Sequence, residues 1–235
     1  MHITLIMAYY DNPKMLKQQL DNIAAYSEEI RNSLEIIIVD DCSPRWPARE
    51  VISNHSREGI KVRLFRTKVD VPWNQDFCRN LGVSQAKTPW ILLTDIDHLV
   101  PESTMHELVS NEYKPYVVYK FSRISAPEYM LYKPHPNSWF MSREFYETMG
   151  GYDERFAGWY GTDGDFRDRI TRLTYIELLP WPLIRVPREV IADASTTTLI
   201  RKSPENGAMI AKIKNEREKD YKPKTLSFPW EEVQC

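Results

Sequence analysis

Three short apolar runs, residues 3–7, 36–39 and 90–93, each stop at a cluster of polar side chains: Tyr9-Tyr10-Asp11, Asp40-Asp41 and Asp95-Ile96-Asp97. Short apolar runs bounded by turn formers predict buried strands. Helical patterns separate them. Pro13 suits a first helical turn, and Leu16, Leu20 and Ile23 follow at helical spacing. Residues 47–55 read as a second helix and residues 60–65 as a further strand. Asn74 is placed to cap a helix carrying Phe77, Leu81 and Val83, and Pro101 opens another before a strand over 116–121. Such alternation predicts a doubly wound α/β fold with a mostly parallel, Rossmann-like sheet. Ligands of these sheets sit outside the carboxyl ends of the strands. The three polar clusters can therefore converge on one cleft.

Beyond residue 121 the pattern loosens. Residues 137–141 read as a strand, and 142–149 as a short helix closed by Gly150-Gly151. Thr162 or Asp163 starts a helix with Phe166, Ile170 and Leu173 on one face. Two short strands, 175–179 and 183–186, are expected on either side of a proline pair, then a charged helix over 204–220 and a Pro-containing tail. We expect one domain over 1–190 and a helical appendage and tail over 191–235.

Composition narrows the function classes. With 42% hydrophobic and 27% charged residues, bulk disorder is excluded. A net charge of −2 gives no support to a dedicated nucleic-acid binder. No apolar run is long enough to span a bilayer, and the start lacks the basic and apolar regions of a secretory signal. Cys42, Cys78 and Cys235 form neither a disulfide framework nor a metal motif. A cytoplasmic setting is the expectation.

The Asp95-Ile96-Asp97 triplet offers hard oxygens for Mg²⁺ or Mn²⁺ at a strand end. With 14 aspartates in the chain, chance alone predicts about one such triplet, so its position matters more than its occurrence. Asp40-Asp41 reads either as an acceptor for the imide N–H of a uracil or as an Asx turn. Tyr9 and Tyr10 are equally suited to stacking on a base and to packing. The segment 150–166 holds five of the eight glycines, which indicates tight turns or close approach of backbone to a ligand. Trp159 offers an apolar platform for a sugar ring. Asp163 and Asp165 stand at a helix start: capping suits one, a general base the other, and spacing does not say which.

In this order the stretches resemble a GT-A glycosyltransferase of the family 2 type. Its VDDxS signature matches Val39-Asp40-Asp41-Cys42-Ser43, its ARNxG helix matches Cys78-Arg79-Asn80-Leu81-Gly82, and its DxD matches Asp95-Ile96-Asp97. Residues 150–166 resemble the galactosyltransferase-like C-terminal motif. The resemblance implies that Tyr10 and Asp41 hold the uracil of a UDP-sugar. Asp95 would contact the ribose or the metal, and Asp97 would bind the metal. Trp159 would line the sugar and acceptor pocket, and Asp163 would be the catalytic base. Arg79 matches a donor-pocket position, with a surface ion pair as its other reading. Thr162 stands where the motif has Glu, and Tyr160 where it has Gly. No histidine follows His135, so the late metal-ligating histidine of many relatives is missing. His98 and Asp193 are candidate substitutes, or ordinary surface and turn residues.

The implied activity is metal-dependent, inverting transfer of a sugar to an acceptor hydroxyl. The implied acceptor is a glycan, with a hydroxylated DNA base as a minority reading. Arg57, Lys61, Arg63, Arg66, Lys68 and the basic run 201–224 would serve a nucleic acid, but interleaved glutamates suit a solvated face better. The competing readings are a nucleotidyltransferase, which lacks its Gly-rich phosphate loop here, and a non-catalytic nucleotide-sugar-binding module.

Overall fold

The first apolar run forms β1 (Ile3–Tyr9), buried on both faces near the middle of the sheet. The computed structural model describes residues 1–55, 60–160, 163–195, 203–217 and 225–235. Arg57, Gly161, Thr162 and parts of the 201–224 run lie outside the described residues.

After β1 come α1 (Pro13–Ala24), α2 (Glu28–Asn32), β2 (Leu34–Asp40), α3 (Ala48–Ser53), β3 (Val62–Thr67), α4 (Gln75–Gln85) and β4 (Trp90–Asp95). β5 (His98–Leu99), α5 (Glu102–Ser110), β6 (Val118–Ser125), β7 (Met130–Tyr132), β8 (Trp139–Ser142) and α6 (Arg143–Thr148) follow. A 3-10 turn (Glu154–Phe156), α7 (Asp163–Leu173), β9 (Ile176–Arg185), α8 (Pro204–Asn215) and β10 (Trp230–Val233) complete the described chain. The sheet runs β10-β3-β2-β1-β4-β8-β6-β9-β5, with β7 on β6. β3, β2, β1 and β4 are mutually parallel, while β8 and β10 join antiparallel. This is a mixed α/β architecture with a mostly parallel central sheet flanked by helices.

Strand side chains alternate between two faces. Leu5, Met7 and Tyr9 join Met15, Leu16, Leu20, Met105 and Leu108 in one core. Ile6, Ile37 and Val39 join Phe77, Leu81 and Val83 of α4 in the other. α4 reaches the sheet through Gly82, where any Cβ would overlap the Ile6 side chain. Gly150 and Gly151, at φ of 79° and 65°, end the α6 segment in a conformation that suits glycine.

Three local expectations are corrected. The proline-separated pair of strands is one strand, β9. Its pairing with β6 jumps from Phe121–Leu179 to Ser122–Pro182, which leaves Pro180 and Trp181 in a bulge where a missing donor does little harm. Residues 225–235 are more than a tail. Thr225, Leu226 and Ser227 donate to the Glu154 carboxylate, and β10 then pairs with β3. Asn74 does stand at the start of α4, but its side chain makes no capping bond.

Candidate active site

The parallel register sets the polar strand ends side by side. Tyr9 pairs with Asp40, and Ala8 with Asp95. A cavity of ≈ 280 Å³ opens at these ends, lined by Tyr10, Asp41, Trp73, Asp95 and Asp97 among others.

The Asp40-Asp41 pair divides its roles. Asp40 accepts from the backbone N–H of Ser43 (2.8 Å) and Ala48 (2.9 Å), so it builds the turn and starts α3. Asp41 faces the cavity and accepts from the Asn74 N–H (3.3 Å). Burial pushes its carboxyl up to about 7; the Asn74 bond opposes this, and Asp40 and Asp70 add to it. Tyr9 and Tyr10 divide likewise. The Tyr9 hydroxyl donates to the Trp46 carbonyl from a buried position, whereas Tyr10 is half-buried and donates to Asp70 (3.4 Å).

Arg79 is only 2% exposed, which removes the surface reading. Its guanidinium grips Asp95 Oδ1 (2.6 Å), Gln75 (2.6 Å) and Asp76 (3.3 Å), and lies 5.0 Å over the Tyr152 ring. Arg79 therefore supports Asp95 from beneath and does not line the cavity. His98 is buried as well. Its Nε2 receives a bond from Arg123 (2.9 Å). An arginine can only donate, so the His98 proton sits on Nδ1 and is given to Asp97 Oδ1 (2.7 Å). His98 orients Asp97 through this bond and is no free surface group. Asp193 accepts from the N–H groups of Lys14 (2.8 Å) and Met15 (2.9 Å), which commits it to the first turn of α1.

Asp163 and Asp165 lie in different surroundings. Asp165 is clamped by Arg217 (2.6 Å and 2.8 Å) and Arg169 (3.1 Å). Burial pushes its carboxyl up, but these guanidinium groups overcome that and hold it below the usual carboxylate range. Asp163 takes one bond from the Asn137 amide (2.9 Å), and burial raises it above that range against the pull of Asn137 and Arg79. It lies within electrostatic reach of Arg79, Lys120 and Asp95 but does not line the cavity. Trp159 is half-buried in the turn after Phe156 and does not line the cavity. Its neighbour Tyr160 packs on Trp73 of the cavity wall, with ring centroids 4.6 Å apart. Tyr160 thus extends the wall where the motif has only glycine.

Residues 4–166 match the family model described as glycosyl transferase family 2. The chain belongs to this family. No curated protein matches it. Solved structures of similar fold include TarS 1-349 of S. aureus in complex with UDP-GlcNAc. It has a TM-score of 0.67 at 14% identity, covering 91% of this chain and 65% of that one. A second is the mannosyltransferase PcManGT of Pyrobaculum calidifontis with GDP-Man and Mn²⁺, with a TM-score of 0.60 at 18% identity, covering 78% and 56%. A third is GalNAc-T7 with UDP, GalNAc and Mn²⁺, with a TM-score of 0.61 at 13% identity, covering 90% and 48%. The family 2 chain spans less than two thirds of the length of each of these structures.

In this family 2 chain the oxygens suited to a divalent ion are those of Asp95 and Asp97. Asp95 Oδ1 is taken by Arg79 and Asp97 Oδ1 by His98, while Asp97 Oδ2 has no partner among the described residues. Among the described residues, no three His, Cys, Asp or Glu side chains are grouped to hold a metal. One or two carboxylates suffice for an ion that keeps waters and binds substrate phosphates, so the donor set fits. Trp73, Asp70, Asn137 and Arg217 carry no motif, and sequence reasoning passed over all four. Trp73 is marked only by its backbone, at a φ of 56°. Among the described residues no helix is long and apolar enough to cross a membrane.

Proposed function

We propose that the chain transfers a sugar from a UDP-sugar to an acceptor hydroxyl with inversion, using Asp163 as general base. The observation that carries this is the split between the two aspartates of α7. Asp165 is tied into ion pairs, and Asp163 is left with a raised carboxyl within electrostatic reach of Asp95. A raised carboxyl is a stronger base once ionised, and among the described residues Asp163 has one oxygen bonded to Asn137 and no hydrogen bond on the other. The buried acceptor Asp41 suits the imide N–H of a uracil, with Tyr10 beside it. Asp97 would hold Mn²⁺ or Mg²⁺, with Asp95 fixed next to it by Arg79. When bound, such an ion supplies Lewis-acid neutralisation of a departing diphosphate. Three related structures contain UDP- or GDP-linked donors or products, two of them with Mn²⁺, which supports the donor class. Residues 1–190 would form most of the transferase unit, with β10 of the 191–235 segment completing its sheet.

Purified protein incubated with UDP-glucose, UDP-galactose and their N-acetyl forms tests the reading through UDP release, with Mn²⁺ or EDTA. One donor should give metal-dependent release that Asp97→Asn abolishes. Asp163→Asn should stop transfer but spare UDP binding. Full turnover by Asp163→Asn rejects the base, and absence of any UDP binding rejects the donor.

A further inference from the structure

The backbone at the end of the acidic triplet is held at three consecutive carbonyls. Gln19 of α1 donates to those of Ile96 (2.8 Å) and His98 (2.9 Å), and the Val186 N–H donates to that of Asp97 (2.8 Å). What stays free at Asp97 is its side chain, whose carboxylate torsion is broad unless a hydrogen bond fixes it. His98 supplies that bond, from Nδ1 to Oδ1 (2.7 Å). The His98 ring is buried and packs on His135, with centroids 4.0 Å apart. A neutral imidazole can carry its one proton on either nitrogen, so the bond to Asp97 depends on what meets Nε2. Arg123 meets it (2.9 Å). Arg123 is anchored in turn: it is buried, its Nε donates to the Lys133 carbonyl (2.8 Å), and its guanidinium lies 4.7 Å over the Tyr132 ring.

We propose that Arg123 is a positioning residue for the divalent ion, acting through His98. By donating to Nε2 it confines the His98 proton to Nδ1. That proton occupies Asp97 Oδ1 and leaves Oδ2, which has no hydrogen bond among the described residues, to the ion. The proposal rests on the reading of Asp97 as the carboxylate that holds Mn²⁺ or Mg²⁺. Partners that orient a ligating group typically change metal affinity about 10–100-fold. The charge of Arg123 works in the other direction. It lies within electrostatic reach of Asp97 and Asp95, so by charge alone it disfavours another cation there. Positioning and repulsion therefore predict opposite signs when Arg123 is removed.

The test is Mn²⁺ binding to the full chain in the presence of UDP, read from the paramagnetic resonance signal of free Mn²⁺, beside a long-range ¹H–¹⁵N spectrum of the histidines. In the parent the His98 ring, assigned by its loss in His98→Asn, should show Nδ1 protonated and Nε2 bare. Arg123→Met should weaken Mn²⁺ by roughly tenfold or more. His98→Leu should do the same, whereas His98→Asn, whose amide N–H can replace Nδ1–H, should keep most of the affinity. Adding Arg123→Met to His98→Asn should weaken binding no further, because the ring through which Arg123 acts is gone. If Arg123→Met does not fold, the tautomer and the two His98 variants decide. An Nε2-protonated His98 overturns the proposal, as does an Arg123→Met protein that binds Mn²⁺ as well as the parent or better. So does His98→Asn binding as weakly as His98→Leu. A parent that binds no Mn²⁺, or an Asp97→Asn protein that binds it like the parent, sinks the reading of Asp97 and the proposal with it. Loss in Asp97→Asn beside no change in Arg123→Met removes the proposal alone.

Discussion

Replacing Asp165 and Asp163 in turn by asparagine should separate stability from chemistry. The Asp165 side chain is 5% exposed and sits between Arg217, at 16%, and Arg169, at 14%. Removing one partner of a buried pair costs about 3–5 kcal/mol because the other charge is stranded. Here the guanidinium groups keep other acceptors: Arg217 holds Asp153, and Arg169 holds the carbonyls of Met149 and Gly151. A cost at or just below the bottom of that range, about 2–3 kcal/mol, is therefore expected. For a chain of this size that lowers Tm by roughly 4–12 °C. Asp163→Asn should leave Tm unchanged or slightly higher, since burial already disfavours its ionised form. The pH dependences have opposite sign. A depressed carboxyl stabilises the fold above its unfolded pKa, so the Asp165 contribution is lost as pH falls through its folded value. A raised carboxyl does the reverse, so the Asp163 contribution is lost as pH rises through its folded value. Scanning calorimetry and UDP release on both variants make the comparison. An Asp165→Asn protein that keeps its Tm but loses turnover, beside an Asp163→Asn protein that turns over normally, would refute the assignment.

Asp41, held up to about 7, accepts an imide N–H more strongly once ionised, so uridine affinity should rise with pH through that value and level off above it. NMR titration of uridine across this range checks it, and a flat profile or an unaffected Asp41→Asn variant removes Asp41 from the base site. Gly82→Ala drives a methyl group into Ile6, itself 1% exposed, and should cost about 1–3 kcal/mol in urea unfolding. Glu154→Ala deprives Thr225, Leu226 and Ser227 of their shared acceptor. Hydrogen exchange in β10 should then accelerate well ahead of exchange in β1, and equal protection in both would show that the latch is dispensable.

What the sequence disclosed follows the range over which each residue acts. β1, β2 and β4 are buried on both faces, and their apolar runs and terminal aspartates are local patterns, so strand, cleft and DxD were all legible. Proline spacing misled at β9 because a bulge is decided by the partner strand β6, which lies far away in the chain. The difference between Asp163 and Asp165 is of the same kind: Arg217, which ties Asp165 into an ion pair, is 52 residues from it and belongs to no motif.

The ARNxG-like stretch shows why a motif can be readable while its work is not. Arg79 reaches Asp95, Asn80 bonds Tyr146, Tyr152 and Glu154, and Gly82 admits Ile6 of β1. The N–H of Asn74, at the start of the same helix, meets Asp41. Helix α4 thereby touches the cavity-facing Asp41, the Asp95 carboxylate and the turn that leads to α7. A helix with a polar stripe buried against three different loops cannot be inferred from amphipathic spacing, which reads such residues as exposed. The substitution pattern that a surface helix would tolerate is therefore the one this helix forbids, since each polar group has a buried partner that would be left unpaired.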